Sequence, residues 1–92
     1  MILSFDCKDT QELFESERNR RFSNIGRVAL RKLIAVNAAE RLGDLIVPPG
    51  NELKALEGRW RGWHAIRIND QWRIVFRWTN KGPAGVAIRD YH

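Results

Sequence analysis

Cysteine is nearly absent. Cys7 is the only one in 92 residues, which excludes an internal disulfide. It follows Phe5 by two in an expected strand and is read as a packing or surface residue, not a nucleophile. Histidine is almost as scarce, with His64 and His92 alone, so no four-ligand zinc spacing can be assembled; no metal and no cofactor are expected. No window approaches the run of about 18 apolar residues that a membrane helix needs. In the opening stretch Met1-Ile2-Leu3-Ser4-Phe5 a charge follows at Asp6, too early for a signal-peptide core. A cytoplasmic chain without a membrane partner is therefore expected. No repeat, low-complexity tract or linker is present, and residues 1–92 are read as one domain with one core.

Acidic residues are scarce in only one place. Residues 1–58 carry nine Lys/Arg against nine Asp/Glu and are neutral. Beyond them Arg59, Arg61, Arg67, Arg73, Arg77, Lys81 and Arg89 face only Asp70 and Asp90, so the whole net charge of +5 lies there. Six of those seven cations are arginines, whose planar fork grips phosphate in bidentate fashion. A solvated basic surface and an anion-binding surface are both compatible with this count.

Hydrophobic period divides the chain. Residues 1–7 read as a short strand, and Asp9-Thr10-Gln11-Glu12 as a capping box opening a helix over about residues 10–17. Ser23 is the expected N-cap of a second helix, in which Ile25, Val28, Ala29, Leu33, Val36 and Ala39 recur at spacings of three and four. Its other face, with Arg27, Arg31 and Lys32, reads as solvated or as a secondary contact with RNA or a partner. Leu42-Gly43 closes it, and Pro48-Pro49-Gly50 turns the chain. Beyond the turn the pattern alternates. Strands are expected over residues 52–56, 63–69, 72–78 and 85–91, with a polar loop at 57–62 and a tight hairpin at Asn69-Asp70-Gln71.

Alternation converts sequence parity into sheet faces. Ile66 and Ile68, then Trp72, Ile74, Phe76 and Trp78, then Val86 and Ile88, form an apolar face suited to covering by the helices. Arg67, Asn69, Arg73, Arg77, Arg89 and Tyr91 then emerge together on the opposite, open side. Its charged members are all positive, which favours an anionic partner over simple solvation.

Such a surface has a chemical use. RNA supplies its own nucleophile, the 2′-hydroxyl, so a protein needs only to remove one proton, supply another and stabilise the phosphorane charge. Arg73 and Arg67 suit the last task, and Tyr91 and His92 can exchange protons, Tyr91 as a base if its cationic surroundings lower its pKa. Asp90 can orient His92 or hold an arginine.

At these residues the sequence resembles HigB-type toxins of bacterial type II toxin–antitoxin systems, within the RelE superfamily. The resemblance is carried by Ile2-Leu3-Ser4-Phe5, by Pro49-Gly50-Asn51-Glu52-Leu53 with Leu56 and Gly58, by the stretch from His64-Ala65-Ile66-Arg67 through Ile68-Asn69-Asp70-Gln71 to Trp72-Arg73-Ile74, and by Asp90-Tyr91-His92. It spans essentially the full length. It implies an α+β, RelE-like fold with two N-terminal helices packed on one face of a small, mainly antiparallel twisted sheet. It also implies a ribosome-dependent, metal-independent endoribonuclease that cuts mRNA in the A site and inhibits growth. The implied partners are the ribosome and mRNA, a cognate helix-turn-helix antitoxin of HigA type and, through that antitoxin, operator DNA. By motif position Arg73 matches the family's phosphate-stabilising arginine and Tyr91 and His92 its terminal catalytic pair. Arg67, Asn69 and Asp90 look like support; Arg77, Arg89, Arg59 and Arg61, from the charge count rather than the motifs, are expected RNA contacts. Some members carry a catalytic histidine where this chain has Lys54, which can bind phosphate but is a poor proton shuttle near neutrality. His64 lies on the apolar parity and reads as a satisfied structural histidine.

Two rivals remain at this stage. A ParE-like toxin would target DNA gyrase without catalysis and has no use for Arg67, Arg73, Tyr91 and His92 together. A plain RNA-binding module would need exposed stacking surfaces, whereas Trp72 and Trp78 fall on the apolar parity.

Overall fold

The computed structural model describes residues 1–90. Helices α1 (Lys8–Ser16) and α2 (Gly26–Ala38) precede strands β1 (Lys54–Ala55), β2 (Trp63–Arg67), β3 (Trp72–Thr79) and β4 (Gly82–Asp90). The strands form one antiparallel sheet in the order β1-β2-β3-β4. This is the α+β arrangement expected from the change of hydrophobic period near the prolines. Short 3-10 turns at Leu42–Ile46, Pro49–Asn51 and Gly58–Trp60 fill the connections.

The core lies between helices and sheet. Leu13 of α1 and Ala29, Leu33 and Val36 of α2 pack with Ile66, Ile74, Phe76, Val86 and Ile88 from three strands. All are at most 2% exposed, and burying each large side chain contributes about 1.5–3 kcal/mol. Trp72 and Trp78 complete that face as half-buried residues, Trp72 meeting Phe22 edge-on at 5.6 Å. A buried hydrogen bond from Ile88 N to Thr10 Oγ1, 2.9 Å, pins α1 to β4.

The expected boundaries shift for local reasons. Helix α1 begins at Lys8 with Cys7 as its N-cap residue, and no side chain caps it. The expected capping box does not form, because Asp9 and Glu12 both accept from Nδ2 of buried Asn19, at 3.1 and 2.8 Å. The carboxylates thus tie down the interhelical connection. Helix α2 starts at Gly26 after Ile25, leaving Ser23 in the preceding turn. It ends at Ala38, earlier than Leu42-Gly43, and Asp44 Oδ2 instead accepts from Glu40 N and Arg41 N at 3.0 and 3.1 Å.

Residues 1–7 do not make a regular strand. They run alongside β4 in parallel through one bridge, Phe5 to Val86, with Leu3 N donating to Pro83 O and Val86 N to Ser4 O. The bridge meets β4 at a bulge. Arg77 pairs with Ala84 and Val75 with Ala87, so Gly85 and Val86 together oppose Phe76. Gly85 takes φ +63°, and a Cβ there would meet the Trp63 ring at 2.7 Å. Strand β4 also starts earlier than expected, at Gly82, because Thr79 Oγ1 closes the preceding turn by accepting from Lys81 N and Gly82 N, both 3.1 Å.

Candidate functional site

Register places three arginines on one rung of the sheet. Arg67 pairs with Arg73 across β2 and β3, and Arg73 pairs with Arg89 across β3 and β4. Directly paired residues share a face and lie about 4.5–5.5 Å apart at Cα, so the three cations form a transverse row. The next row on the same face is Lys54, Ala65, Val75 and Ala87, roughly 7 Å further along the strands. Arg77 follows beyond it, paired with Trp63. The parity argument therefore holds for Arg67, Arg73, Arg77 and Arg89, and Lys54 joins the same face.

Each guanidinium is held in its own way. Arg67 donates from Nη2 to Asp70 Oδ1 at 2.5 Å, and its Nε lies 3.7 Å from Glu52 Oε2. Its backbone carbonyl accepts from Lys32 Nζ at 2.7 Å, tying the end of β2 to α2. Arg73 Nη1 donates to the carbonyls of Asn69 and Trp72, which anchors that half-buried side chain against the hairpin. Arg89 lies over the indole of Trp60 at 5.2 Å and Arg77 over that of Trp63 at 5.9 Å, both cation–π distances. The Arg67 guanidinium holds the Asp70 carboxyl below the usual carboxylate range, by hydrogen bond and charge.

The hairpin is shaped by Asn69, whose Oδ1 accepts from Gln71 N at 2.9 Å and Trp72 N at 2.8 Å. The Asn69 side chain thus sets the turn on which Arg73 leans. Asp90 Oδ2 accepts from Gln71 Nε2 at 3.1 Å.

The face is not uniformly open. Val75, Ala84 and Ala87 on it are at most 6% exposed; Leu56 and Trp60, from the segment that follows β1, stand near Val75, and Trp63 lies against Gly85. Trp60 and Trp63 meet edge to face, with centroids 5.4 Å apart. A cavity of about 360 Å³ remains beside the arginine row, lined by Leu56, Trp60, Val75, Arg73 and Arg89. Glu57, Arg59 and Asp90 line it as well. Arg61 is exposed in the turn and does not line it.

Sequence reasoning missed the two tryptophans. Trp63 shares strand parity with Arg67, so its face was legible; Trp60 lies in an irregular turn, where parity carries no information. It also missed Lys32 and Glu52, whose contacts with Arg67 join distant segments. His64 is on the apolar side, stacked on Phe76 at 6.4 Å, but its buried Nδ1 has no hydrogen-bond partner among the described residues. The expected satisfied histidine is therefore not met at Nδ1, and burial pushes its imidazole pKa down. Cys7 is half-buried at the start of α1. Tyr91 and His92, the expected proton-exchanging pair, lie outside the described residues. Among those residues no three His, Cys, Asp or Glu side chains converge as a metal shell, and no helix is long and apolar enough to cross a membrane.

Comparison with known proteins agrees with this architecture. Toxin HigB-1 of Vibrio cholerae is 38% identical over 93 aligned residues, covering 99% of this chain and 94% of that one. Solved structures of YafQ from E. coli strain BL21(DE3) and of an E. coli YafQ mutant superpose with a TM-score of 0.60 in each case, over 99% of this chain and 92% of theirs. Identity to them is only 15% and 14%, so they bear on the fold alone. Residues 3–92 match the family model described as the RelE-like toxin of type II toxin–antitoxin system HigB. The chain belongs to the HigB family of RelE-like toxins.

Proposed function

We propose that this chain is a ribosome-dependent, metal-independent endoribonuclease that cuts messenger RNA in the A site and so arrests translation and growth. The observation that carries the reading is the row Arg67, Arg73, Arg89, set on one rung in a chain of this family. A ParE-like role leaves that row without a task.

The chemistry runs on the substrate's own nucleophile. The 2′-oxygen attacks the adjacent phosphorus and loses its proton to one member of the Tyr91 and His92 pair. The bond from phosphorus to the 5′-oxygen breaks, and the other member protonates the leaving oxygen. A 2′,3′-cyclic phosphate and a 5′-hydroxyl result. Arg73 stabilises the charge that develops on the phosphorane, being already oriented by the hairpin carbonyls. Arg67 joins it by exchanging Asp70 for phosphate. Arg89, Arg77, Arg59 and Lys54 grip the flanking backbone, Asn69 keeps the hairpin in shape, and Asp90 steadies the end of β4. Arg61 is at most a peripheral contact.

A type II toxin has a cognate antitoxin. We assign it a helix-turn-helix protein of HigA type, through which the complex reaches operator DNA, and we place the pair in the cytoplasm.

Incubating the protein with translating ribosomes and a defined message, with and without chelator, and mapping new 5′ ends tests the reading. Ribosome-dependent cuts that survive chelation are expected. Arg73→Ala should slow cleavage by about 10²–10³-fold, the scale of one lost oxyanion donor. Removing His92 should relieve growth inhibition while the fold persists. Intact message alongside inhibited gyrase supercoiling would overturn the assignment.

A further inference from the structure

We propose that the cavity beside the arginine row is a nucleobase subsite, in which one base of the RNA lies against the indole of Trp60 while its phosphate rests on Arg73 and Arg89. The proposal rests on the reading of this face as RNA-binding and adds a ligand class to a part of it that phosphate chemistry does not use.

Three observations converge. The cavity measures about 360 Å³, at the small end of the roughly 300–1,000 Å³ of ligand pockets, so it suits one ring system rather than a folded segment. Leu56, Val75 and Trp60, buried or half-buried, give it an apolar and aromatic lining, and half-buried Arg73 and exposed Arg89 bring two of the three row arginines to it. Two exposed carboxylates, Glu57 and Asp90, line it together with Arg59, and Glu57 can accept hydrogen bonds from amino groups on a base. An apolar and aromatic lining joined by cations and an acceptor matches a nucleotide bearing an amino-substituted base.

Trp60 is also prepared for the task. The Gly58–Trp60 turn presents the ring, Trp63 braces it edge to face, and the Arg89 guanidinium covers it at 5.2 Å. When phosphate takes Arg89, that cation leaves the indole and a base takes its place. One cation–π contact is thereby exchanged for a charge-assisted hydrogen bond and a stacked ring.

The test compares the full chain's affinity for AMP, CMP, GMP and UMP with that for ribose 5-phosphate, which lacks only the base. Nucleotides with amino-bearing bases should bind about five- to a hundredfold tighter than ribose 5-phosphate, the range expected of one stacked base. Trp60→Ala should bring that ratio close to one, Trp60→Phe should keep most of it, and Glu57→Ala, which removes the acceptor, should erase the preference over UMP. If Trp60→Ala does not fold, nuclear Overhauser contacts between base protons and the Trp60 ring in the unaltered protein decide the matter. A ratio near one in the unaltered protein, a ratio untouched by Trp60→Ala, or the absence of those contacts overturns the subsite. The outcome is separable from the nuclease reading: base-selective binding without cleavage sinks only the latter, and cleavage without base selectivity only the former.

Discussion

Lys32 of α2 donates a hydrogen bond to the backbone carbonyl of Arg67 at 2.7 Å, so the helix that builds the core also fixes the first member of the arginine row. The α2 face that reads in the sequence as solvated, or as a secondary contact with RNA or a partner, supplies this bond. Burial, with Arg31 and Arg67 nearby, pushes the Lys32 ammonium pKa below its ordinary value. Lys32→Met keeps the aliphatic stem and strands the carbonyl, a loss of about 1–3 kcal/mol. For a domain of this size that is a fall in Tm of roughly 4–8 °C per kcal/mol, read by thermal unfolding. RNA affinity should fall with it; an unchanged Tm would show that water replaces the ammonium without loss.

On the proposed reading, Asp70 competes with RNA for Arg67. Its side chain is fully exposed, whereas that of Arg67 is 29% exposed, so the pair costs little to open. Asp70→Asn should raise affinity for a short RNA about two- to tenfold and steepen its salt dependence. Glu17→Gln makes the same charge change away from the row and separates a local effect from a global one. Equal gains in both variants would mean that Asp70 acts through net charge alone.

Gly85 is the position where stability and site meet. Its φ of +63° disfavours any side chain, and a Cβ would collide with the Trp63 ring at 2.7 Å. Gly85→Ala should cost roughly 1–3 kcal/mol in denaturant unfolding. It should also move Trp63 and, with it, the Trp60 ring that Trp63 braces. A variant as stable as the parent would show that the β4 bulge relaxes freely.

His64 predicts a slope in stability with pH. Its folded pKa is lowered by burial, so the unfolded chain binds the proton first as pH falls through its ordinary value of about 6.5. Its contribution is complete above that value and is lost on acidification toward the lower folded pKa. Unfolding free energy measured between pH 5 and 7.5 should therefore decline toward acid, and His64→Gln should flatten the decline. The Asp70 contribution, lowered in the folded state by Arg67, is lost only further into acid.

What was legible in the sequence follows from its regular periods. Two-residue alternation in β2, β3 and β4 set the faces of Arg67, Arg73, Arg77 and Arg89, because parity survives small errors in strand ends. The apolar repeat of α2 likewise marked Ala29, Leu33 and Val36 as core. Contacts between distant segments were not legible: Lys32 and Glu52 reach Arg67 through the fold, and Asn19 captures the two carboxylates that resemble a capping box. Trp60 escaped because a 3-10 turn has no parity to read. Tyr91 and His92 were singled out by their motif, which no pattern of burial could have supplied.

The single rung that carries Arg67, Arg73 and Arg89 has a thermodynamic consequence for the protein at rest. Like charges placed directly opposite one another across strands weaken a sheet. Glu52 and Asp70 offset part of this at Arg67, and a bound anion would offset more of it along the row. Any polyanion that binds the native chain and not the unfolded one therefore acts as a folding ligand, raising the melting point with the logarithm of its concentration. On the proposed function, the RNA-rich surroundings of a ribosome would hold this chain together as well as offer it substrate.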